Sequence, residues 1–571
     1  MLRYLHQKDN IFYTIVLIVM LGVTAFYCTM PLFLYHGLPH SHDIIFHLFY
    51  ADRFKQALED GLIYPRWIID ANNGYGGPHF IFYSPLSYYF SAAINFIFPS
   101  PVISMIIALW FSFFLSGLTM FSALMKQSGK AVSLLVAIGY QLIPFHIIDL
   151  YARGTYAELF AFIWFPLIIS FMLRINERRN RINVIGLAIS YAGLIMTHLV
   201  SGFMITFVVS IYLMYHFILK RDKQVILNIV YAIIIGFGIS SIYLIPVVFE
   251  RQFVHIEYLL QCTVCDYTNN FLFTQEKLYI LKQFFFRVHT SVIIEVILFF
   301  ILILLIVRNR IGLVPSVSRG FFIILFMFSF LLTTPLSKPL WAIIPFFPIL
   351  QFPWRWVIIM EISLCFLIGY TFSSESIPAL TKLSFSKRIV LYIILILAVI
   401  SSVMIFETPV FREEFLTDII YSDKIRNYLT PTIEYIPRSV NIKKFMSEGT
   451  YEPVSFISGK GQYELLDWKS AKRVIKVKAA TPVELRISTF YYPGWKATMD
   501  GIETPVRVEH LTGAMIINIP DGEHVLDMKF EDTLIRFVAR LISVGTCLIV
   551  GFLLYVHVLS RKADANSRLE R

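Results

Sequence analysis

Residues 11–34 read IFYTIVLIVMLGVTAFYCTMPLFL, a run without a single charged side chain. About 20 mostly apolar residues are enough to cross the hydrocarbon core of a bilayer as a helix. Arg3 and Lys8 precede the run, and no small-residue cleavage site follows it, so we expect a retained first span and not a signal peptide. The same kind of run recurs along the chain, which predicts a polytopic α-helical membrane protein.

The composition agrees with this prediction. The chain has 571 residues, of which 57% are hydrophobic and 15% are charged, whereas soluble globular proteins carry about 25% charged residues. The net charge of +11 comes from short basic clusters between apolar runs, as expected of cytoplasmic loops, and we exclude nucleic-acid binding on that ground. The predicted spans are 11–34, 101–125, 131–149, 157–175, 182–198, 200–219, 225–247, 289–307, 319–334, 355–373, 388–406 and 537–559.

Basic clusters follow every second predicted span, for example in residues 174–181 after the fourth. With both termini in the cytoplasm, all these clusters are cytoplasmic, and twelve spans are self-consistent. The span at 182–198 is short, and the proline-rich stretch 335–354 reads equally as a re-entrant segment. The predicted domains are a membrane domain (1–406) with outer loops 35–100 and 248–288, an extracytoplasmic domain (407–536), and a last span with a basic tail (537–571).

Residues 407–536 are the one long stretch with the composition of a soluble domain. Apolar residues alternate in part with polar ones, which is the periodicity of strands. Turn residues such as Asp500-Gly501 and Pro520-Asp521-Gly522 separate these strands. We therefore expect a small antiparallel β-sandwich here.

The first outer loop opens with residues 40–47, HSHDIIFH. Asp43 and His47 are four residues apart and would share one face of a helix. An acid at this place can deprotonate a hydroxyl acceptor while a nearby cation holds a phosphate leaving group. Two other interpretations remain open: Asp43 caps the helix, or Asp43 binds a divalent metal together with His40, His42 and His47.

Further candidates lie at the outer ends of predicted spans. Arg153 and Glu158 sit at or just outside membrane depth, where ionisable groups are costly and are functional candidates, although a structural Arg–Glu pair is an equal alternative. His198 is open to the same two interpretations. Arg355 lies between two tryptophans in FPWRW, which suits either a lipid phosphate or simple anchoring at the interface. An aromatic run around Tyr83 suits a sugar, an isoprenoid chain or an interfacial belt.

Two other motifs have a structural and a functional reading each. The segment FYYPGWKATMDG (490–501) is rich in aromatics that can stack on sugars, but a turn with ordinary core aromatics is the more common case. Cys262 and Cys265 form a lone C-x-x-C, for which we expect a local disulfide if the loop lies outside the cell.

Taken in order, D-x-x-F-H, N-x-G-Y-G-x-P, A-R-G-x-x-A-E, F-P-W-R and Y-Y-P-G-W-K-A-x-x-D-G resemble a bacterial membrane family named after 6-pyruvoyl-tetrahydropterin synthase and close to YfhO-type proteins. That family is similar to the GT-C glycosyltransferases, which use polyprenyl-phosphate-linked sugars. The resemblance implies a bacterial inner-membrane enzyme with its active face outside and with inverting chemistry. It implies Asp43 as catalytic base, Glu158 as a second acid, and Arg153 and Arg355 as ligands of the lipid phosphate.

His42, His47, His198 and Tyr83 are supporting candidates in the same site, and a divalent metal is left open because Ile44, not an acid, follows Asp43. The implied partners are a polyprenyl-phosphate sugar donor, a glycan or lipid acceptor, and membrane lipids. The alternatives are a transporter or flippase for a lipid-linked sugar and a non-catalytic protein of cell-envelope assembly. A transporter would place ionisable residues at the bilayer midplane, whereas those considered so far lie at the outer ends of spans.

Overall fold

The computed structural model describes residues 8–177, 180–261, 265–274, 282–308, 317–372, 408–421, 432–447 and 452–569, with single positions between 393 and 407. The apolar runs form long helices because every backbone group must be hydrogen bonded inside a bilayer. These helices are α1 (Lys8–Tyr35), α5 (Pro101–Leu142), α7 (Tyr156–Glu177), α8 (Arg181–Thr197), α9 (Leu199–Tyr215), α10 (Lys223–Glu250), α11 (Lys282–Arg308), α12 (Val317–Thr333), α14 (Val357–Thr371) and α17 (Leu534–Leu569).

Eight helices among the described residues are long and apolar enough to cross a membrane, or nine with the bent pair Arg319–Thr333 and Pro335–Ile343. The two segments of that pair meet at 89°, as in a broken span or a re-entrant loop. Two predicted spans, 101–125 and 131–149, share α5, which is interrupted at Gly129 (φ 74°). The predicted span 388–406 lies mostly outside the described residues. The polytopic helical fold is confirmed, and the count of twelve stays a prediction.

Shorter elements lie between the long helices and in the segment that leads into the C-terminal domain. The helices are α2 (Ile44–Glu59), α3 (His79–Phe82), α4 (Leu86–Asn95), α6 (Pro144–Ile148), α13 (Lys338–Ile343), α15 (Glu413–Tyr421) and α16 (Ile442–Ser447). Strand β1 (Gly37–Pro39) pairs antiparallel with β2 (Val410–Arg412). The chain after the first span is thus joined directly to the chain that leads into the C-terminal domain.

The C-terminal domain is a sandwich of two antiparallel sheets, which confirms the prediction of a β-rich region. The strands are β3 (Val454–Ser458), β4 (Gly461–Lys469), β5 (Lys472–Ala479), β6 (Val483–Phe490), β7 (Trp495–Met499), β8 (Ile502–Thr504), β9 (Arg507–Val508), β10 (Ala514–Ile519) and β11 (Gly522–Phe530). The strand orders are β3-β6-β10-β9 and β4-β5-β11-β7-β8. Asp500 and Gly501, both at positive φ, turn β7 into β8 as expected of a hairpin.

The first outer loop and the sandwich share one hydrophobic core. Trp67 and Tyr75 of the loop are buried together with strand residues of the sandwich. The backbone N–H of Phe490 donates to the carbonyl of Tyr75 at 3.0 Å, and Arg66 pairs with Asp532 at 2.7 Å. The two regions therefore lie on the same side of the membrane.

Candidate functional site

The segment that carries Asp43 is hydrogen bonded to the turn that carries Arg153. The backbone N–H of Asp43 donates to the Arg153 carbonyl at 2.9 Å, and that of His42 donates to the Ala152 carbonyl at 3.3 Å. The turn itself, Asp149–Arg153, is a wide helical turn that follows α6. Two motifs more than 100 residues apart in the sequence thus form one local structure.

Gly154 permits this close approach. Its φ is +69°, in the left-handed region that favours glycine. A Cβ at this position would lie 2.9 Å from the Ile44 backbone nitrogen and would overlap the Ser41 hydroxyl. The glycine of the A-R-G motif is therefore required by the loop that packs against it.

The Asp43 side chain does not cap α2. It stands at the N-cap position with φ −111° and makes no capping hydrogen bond. Part of the Asp43 surface is exposed to solvent although protein atoms surround the residue on most sides. Asp43 therefore lines a recess. Burial raises the pKa of the Asp43 carboxyl, and the nearby charges of Arg153, His42 and Arg355 oppose that rise.

Beside Asp43 lies a buried cluster of charges. Arg153 contacts Asp149 and pairs with Glu158 at 2.7 Å, while the Nε of Arg355 lies 3.7 Å from the same Glu158 oxygen. The side chains of Arg153, Glu158 and Arg355 are 5%, 1% and 8% exposed. The structure thus brings all four principal candidates together, and the predicted Arg–Glu pair is present within the group.

The tryptophans of FPWRW are part of this arrangement and are not anchored at the interface. The Arg153 guanidinium lies over the Trp354 ring, 4.6 Å from its centroid, and Trp354 and Trp356 are both buried. Arg355 donates to the Leu350 carbonyl at 2.6 Å and lies over Phe352. Arg355 is therefore held inside the protein and does not extend to the water–lipid boundary.

Several polar atoms of the cluster have no hydrogen-bond partner among the described residues. They are the Oε1 of Glu158, the Nε of Arg355 and the indole nitrogens of Trp354 and Trp356. Buried polar groups are nearly always paired in native proteins, and exceptions point to function or to an unseen ligand. The Arg355 Nε is the donor of the cluster with the weakest partner, because its contact with Glu158 is long at 3.7 Å.

The supporting candidates line the same region in different ways. His47 bonds through Nδ1 to the Tyr88 hydroxyl at 2.7 Å, and burial lowers its pKa to about 3. His198 bonds to Ser201 at 2.8 Å, and burial lowers its pKa to about 4, so both rings are neutral at physiological pH. The Tyr83 ring lies 5.8 Å from that of His47, and burial raises the pKa of its hydroxyl.

The three histidines near Asp43 do not form a metal site. His40 packs on Phe411 with ring centroids 4.2 Å apart, His42 lies near Phe284, and His47 is bound to Tyr88. In the part of the chain that the structure describes, no group of three or more His, Cys, Asp or Glu residues could hold a metal ion. Cys262 lies outside the described residues, so the predicted disulfide to Cys265 stays a prediction.

Sequence reasoning missed the contribution of the C-terminal domain to this region. Thr432 contacts the His79 ring nitrogen at 2.5 Å, and Tyr435 stacks on Phe82 with centroids 5.8 Å apart. Burial raises the pKa of the Glu434 carboxyl between them. No motif signals this segment, because only the fold brings it to the first loop.

Tyr492 and Trp495 of the aromatic motif at 490–501 are core residues, as the structural interpretation of that motif predicts. Tyr492 is 0% exposed and Trp495 is 3% exposed, and both pack in the core shared with Trp67. Gly494, at φ +118°, lies against the Glu531 carbonyl. These rings have no free face for stacking on a sugar.

Comparison with known proteins gives limited structural likeness. No curated protein matches the sequence. Two similar solved structures are ArnT from Cupriavidus metallidurans bound to undecaprenyl phosphate and the oligosaccharyltransferase of Archaeoglobus fulgidus in complex with zinc and sulfate. They are 14% and 12% identical, with TM-scores of 0.37 and 0.38 over 63% and 69% of this chain. The match spans 59% and 54% of the length of those chains, and at such scores it carries no activity over to this one.

A family-level comparison is more informative. Residues 80–409 match the 6-pyruvoyl-tetrahydropterin synthase related domain, described as a membrane protein. The match includes the turn with Arg153, the pair with Glu158 and the buried Arg355. Because it spans more than half of the sequence, the chain belongs to the family of membrane proteins with a 6-pyruvoyl-tetrahydropterin synthase related domain.

Proposed function

We propose that this protein is a membrane glycosyltransferase that moves a sugar from a polyprenyl-phosphate carrier to a glycan or lipid acceptor on the outer face of a bacterial inner membrane. One observation supports the proposal most strongly. Asp43 has an accessible carboxylate that does not cap α2, and its backbone N–H is hydrogen bonded to the Arg153 carbonyl, beside the buried pair Arg153 and Arg355. A base next to a cation is the combination that this reaction requires.

The chemistry follows from that arrangement. Asp43 takes the proton of the acceptor hydroxyl as its oxygen attacks the anomeric carbon of the sugar. The bond from that carbon to the phosphate oxygen breaks, and polyprenyl phosphate leaves with the bonding electrons. Arg355 stabilises the charge that develops on the phosphate. A single displacement of this kind inverts the anomeric centre.

Arg153 and Glu158 have different parts in this scheme. Glu158 is contacted by two guanidinium groups and is 1% exposed, so it does not reach an acceptor directly. We assign Glu158 a positioning role, in which it orients both arginines. Arg153 supports the phosphate site electrostatically and holds the Asp43 backbone through its carbonyl. A raised pKa of Asp43 suits a general base, because proton transfer is most efficient when the pKa of the base is close to the working pH.

A transporter of lipid-linked sugars is the second candidate, and one observation favours it. Glu295 lies in the middle of α11, Glu361 lies in the second turn of α14, and both are fully buried. The expectation that ionisable groups lie at the outer ends of spans therefore fails for this pair. Intramembrane acids are common in transport pathways.

The test is a transfer assay with the purified protein in sealed proteoliposomes. The donor is a polyprenyl-phosphate sugar with a radiolabelled sugar, and the acceptor is a lipid or glycan extract of the host envelope. Wild type is expected to move label to the acceptor, and Asp43→Asn is expected to lose roughly 100- to 10,000-fold of that rate.

Asp70→Asn, in the same loop and paired with Arg53 at the surface, is the matched control and should keep its rate. Full activity of Asp43→Asn would refute the role of the base, and donor crossing the bilayer without transfer would favour the transporter.

A further inference from the structure

Two carboxyl side chains meet inside the membrane domain, away from the site around Asp43. Glu295 belongs to α11 and Glu361 to α14, and both are 0% exposed. The two side chains face each other, and the Oε2 atom of each has no hydrogen-bond partner among the described residues. The proposed transfer reaction makes no use of either group.

Each carboxyl group accepts one hydrogen bond through its other oxygen. The Ser291 hydroxyl donates to Glu295 Oε1 at 2.7 Å, and the Phe145 backbone N–H donates to Glu361 Oε1 at 2.8 Å. The second oxygens, Oε2 of both residues, receive no N–H or O–H donor from any other described residue. The carboxyl–carboxyl contact is therefore the remaining bond available to them.

Among the described residues, the other titratable groups around the pair do not supply a positive charge. The titratable groups that face it are Cys365, Tyr140 and Asp149, none of which is a cation. Beside Glu295 is a small apolar cavity lined by Leu135, Val136, Gly139, Ile143, Leu298, Leu364, Cys365, Ile368, Ile393 and Leu397. The sequence from 389 to 406, which supplies two of these residues, contains no charged side chain at all.

Two ionised carboxylates are not stable in such surroundings. Burial of an unpaired charge in an apolar medium costs many kcal/mol, so the group takes up a proton instead. Two neighbouring ionised carboxylates also repel each other, which favours uptake of a proton. A hydrogen bond between two carboxyl groups needs a proton on one of them, because an ionised carboxylate is an acceptor only.

We propose that Glu295 and Glu361 form a proton-binding site within the membrane domain, in which at least one acidic proton is held between the two carboxyl groups at neutral pH. The ligand is the proton itself, and the site is distinct from the recess at Asp43.

The break between α5 and α6 explains why a hydrogen-bond acceptor is needed inside the membrane domain. Pro144 begins α6 directly after the break at Ile143, which leaves the Phe145 N–H without a helical partner. An unpaired N–H inside a bilayer costs several kcal/mol, and Glu361 accepts its hydrogen bond. Glu295 then lets Glu361 stay buried, because the shared proton reduces the charge of the pair by one.

Infrared spectroscopy of the full-length protein in nanodiscs tests the site directly. At pH 7, wild type should show a carbonyl stretching band of a protonated carboxylic acid that shifts in D₂O. Glu295→Gln and Glu361→Gln should each weaken that band, because the amide side chain has nearly the same shape and carries no acidic proton. Glu407→Gln, at a largely exposed position, should leave the band unchanged. Retention of the full band in both buried variants would overturn the proposal.

A second measurement on wild type covers the case in which a variant does not fold. Dicyclohexylcarbodiimide is an apolar reagent that adds to protonated carboxyl groups inside membranes, and peptide mass spectrometry locates the adduct. Label on Glu295 or Glu361 at pH 7, with less label at higher pH, supports the shared proton. Label confined to other carboxyl groups contradicts it. Neither measurement depends on sugar transfer, so a failed transferase assay leaves this result intact.

Discussion

Two buried Arg–Glu clusters in this molecule differ in how completely their hydrogen bonds are satisfied. At the junction of α10, α17 and the sandwich, Arg536 donates to both oxygens of Glu250 at 2.8 Å and to the Pro493 carbonyl at 2.7 Å. Tyr492 adds a bond to Glu250 at 3.1 Å. In the cluster beside Asp43, by contrast, the Oε1 of Glu158 and the Nε of Arg355 lack a hydrogen bond among the described residues.

We interpret this difference as one between a structural cluster and a candidate functional cluster. A buried network with every group paired makes the structure rigid, and the loss of one partner is costly because it leaves an uncompensated charge. A cluster with unpaired buried groups is less stable than it could be, and proteins keep such arrangements where a ligand completes them. We therefore expect substitutions in the junction cluster to reduce stability and substitutions in the outer cluster to reduce activity.

The largest effect on stability is expected at the junction. Arg536→Ala leaves Glu250 buried and without its cation, which costs about 3–5 kcal/mol. Thermal unfolding in detergent, or denaturant unfolding in nanodiscs, measures this loss. The matched control is Arg540→Ala, one turn along the same helix, where the arginine is half-exposed and pairs with Asp532 at 3.1 Å. A surface pair of this type contributes about 0–1 kcal/mol. Equal losses in both variants would remove the contrast between the clusters.

The next effect concerns the contact of the first loop with the Arg153 turn. Gly154→Ala puts a Cβ against Ser41 and Ile44 and strains a left-handed backbone, so it should lower stability and also displace Asp43. Gly501→Ala is the control, since Gly501 has φ +83° but no atom within 4 Å of the added Cβ. Gly501→Ala should lose only about 1 kcal/mol of unfolding free energy, from the strained left-handed backbone, and should keep its transfer rate. If Gly154→Ala transfers sugar as fast as Gly501→Ala does, the loop contact does not position the base.

A smaller effect is expected from pH. Burial raises the pKa of Asp43, so its ionised, basic form appears at a higher pH than for an ordinary aspartate of about 3.9. The transfer rate should therefore rise with pH through this raised pKa and then level off. His47 and His198 stay neutral over that range, because burial lowers both of their pKa values. A rate profile in wild type that is flat from pH 4 to pH 8 would contradict the assignment of Asp43 as the base.

Much of the fold was predictable from the sequence, and the reasons are local. The apolar runs identify most of the membrane helices, and the alternation and turn residues of the C-terminal region identify its strands. Asp43, Arg153, Glu158 and Arg355 were found because ionisable or accessible polar groups next to apolar runs are unusual.

What the sequence did not reveal depends on long-range contacts. The pairing of β1 with β2 joins residues more than 370 positions apart, and the Glu250–Arg536 cluster joins residues 286 positions apart. Glu295 and Glu361 were missed because each is a single acid inside a long apolar run, and only the packing of α11 on α14 shows that they form a pair. The Thr432–Tyr435 segment was missed for the same reason.

The most direct test of the account compares Asp43→Asn with Glu250→Gln in the same membranes, with melting temperature and sugar transfer measured on each. Asp43→Asn should keep or slightly raise the melting temperature at pH 7, because burial disfavours the Asp43 charge, and it should lose transfer. Glu250→Gln should lower the melting temperature, since Arg536 loses its counter-charge, while the protein that remains folded transfers at the wild-type rate. If Asp43→Asn instead transfers at the wild-type rate, or loses activity only in proportion to lost folded protein, the recess around Asp43 is not the reaction site.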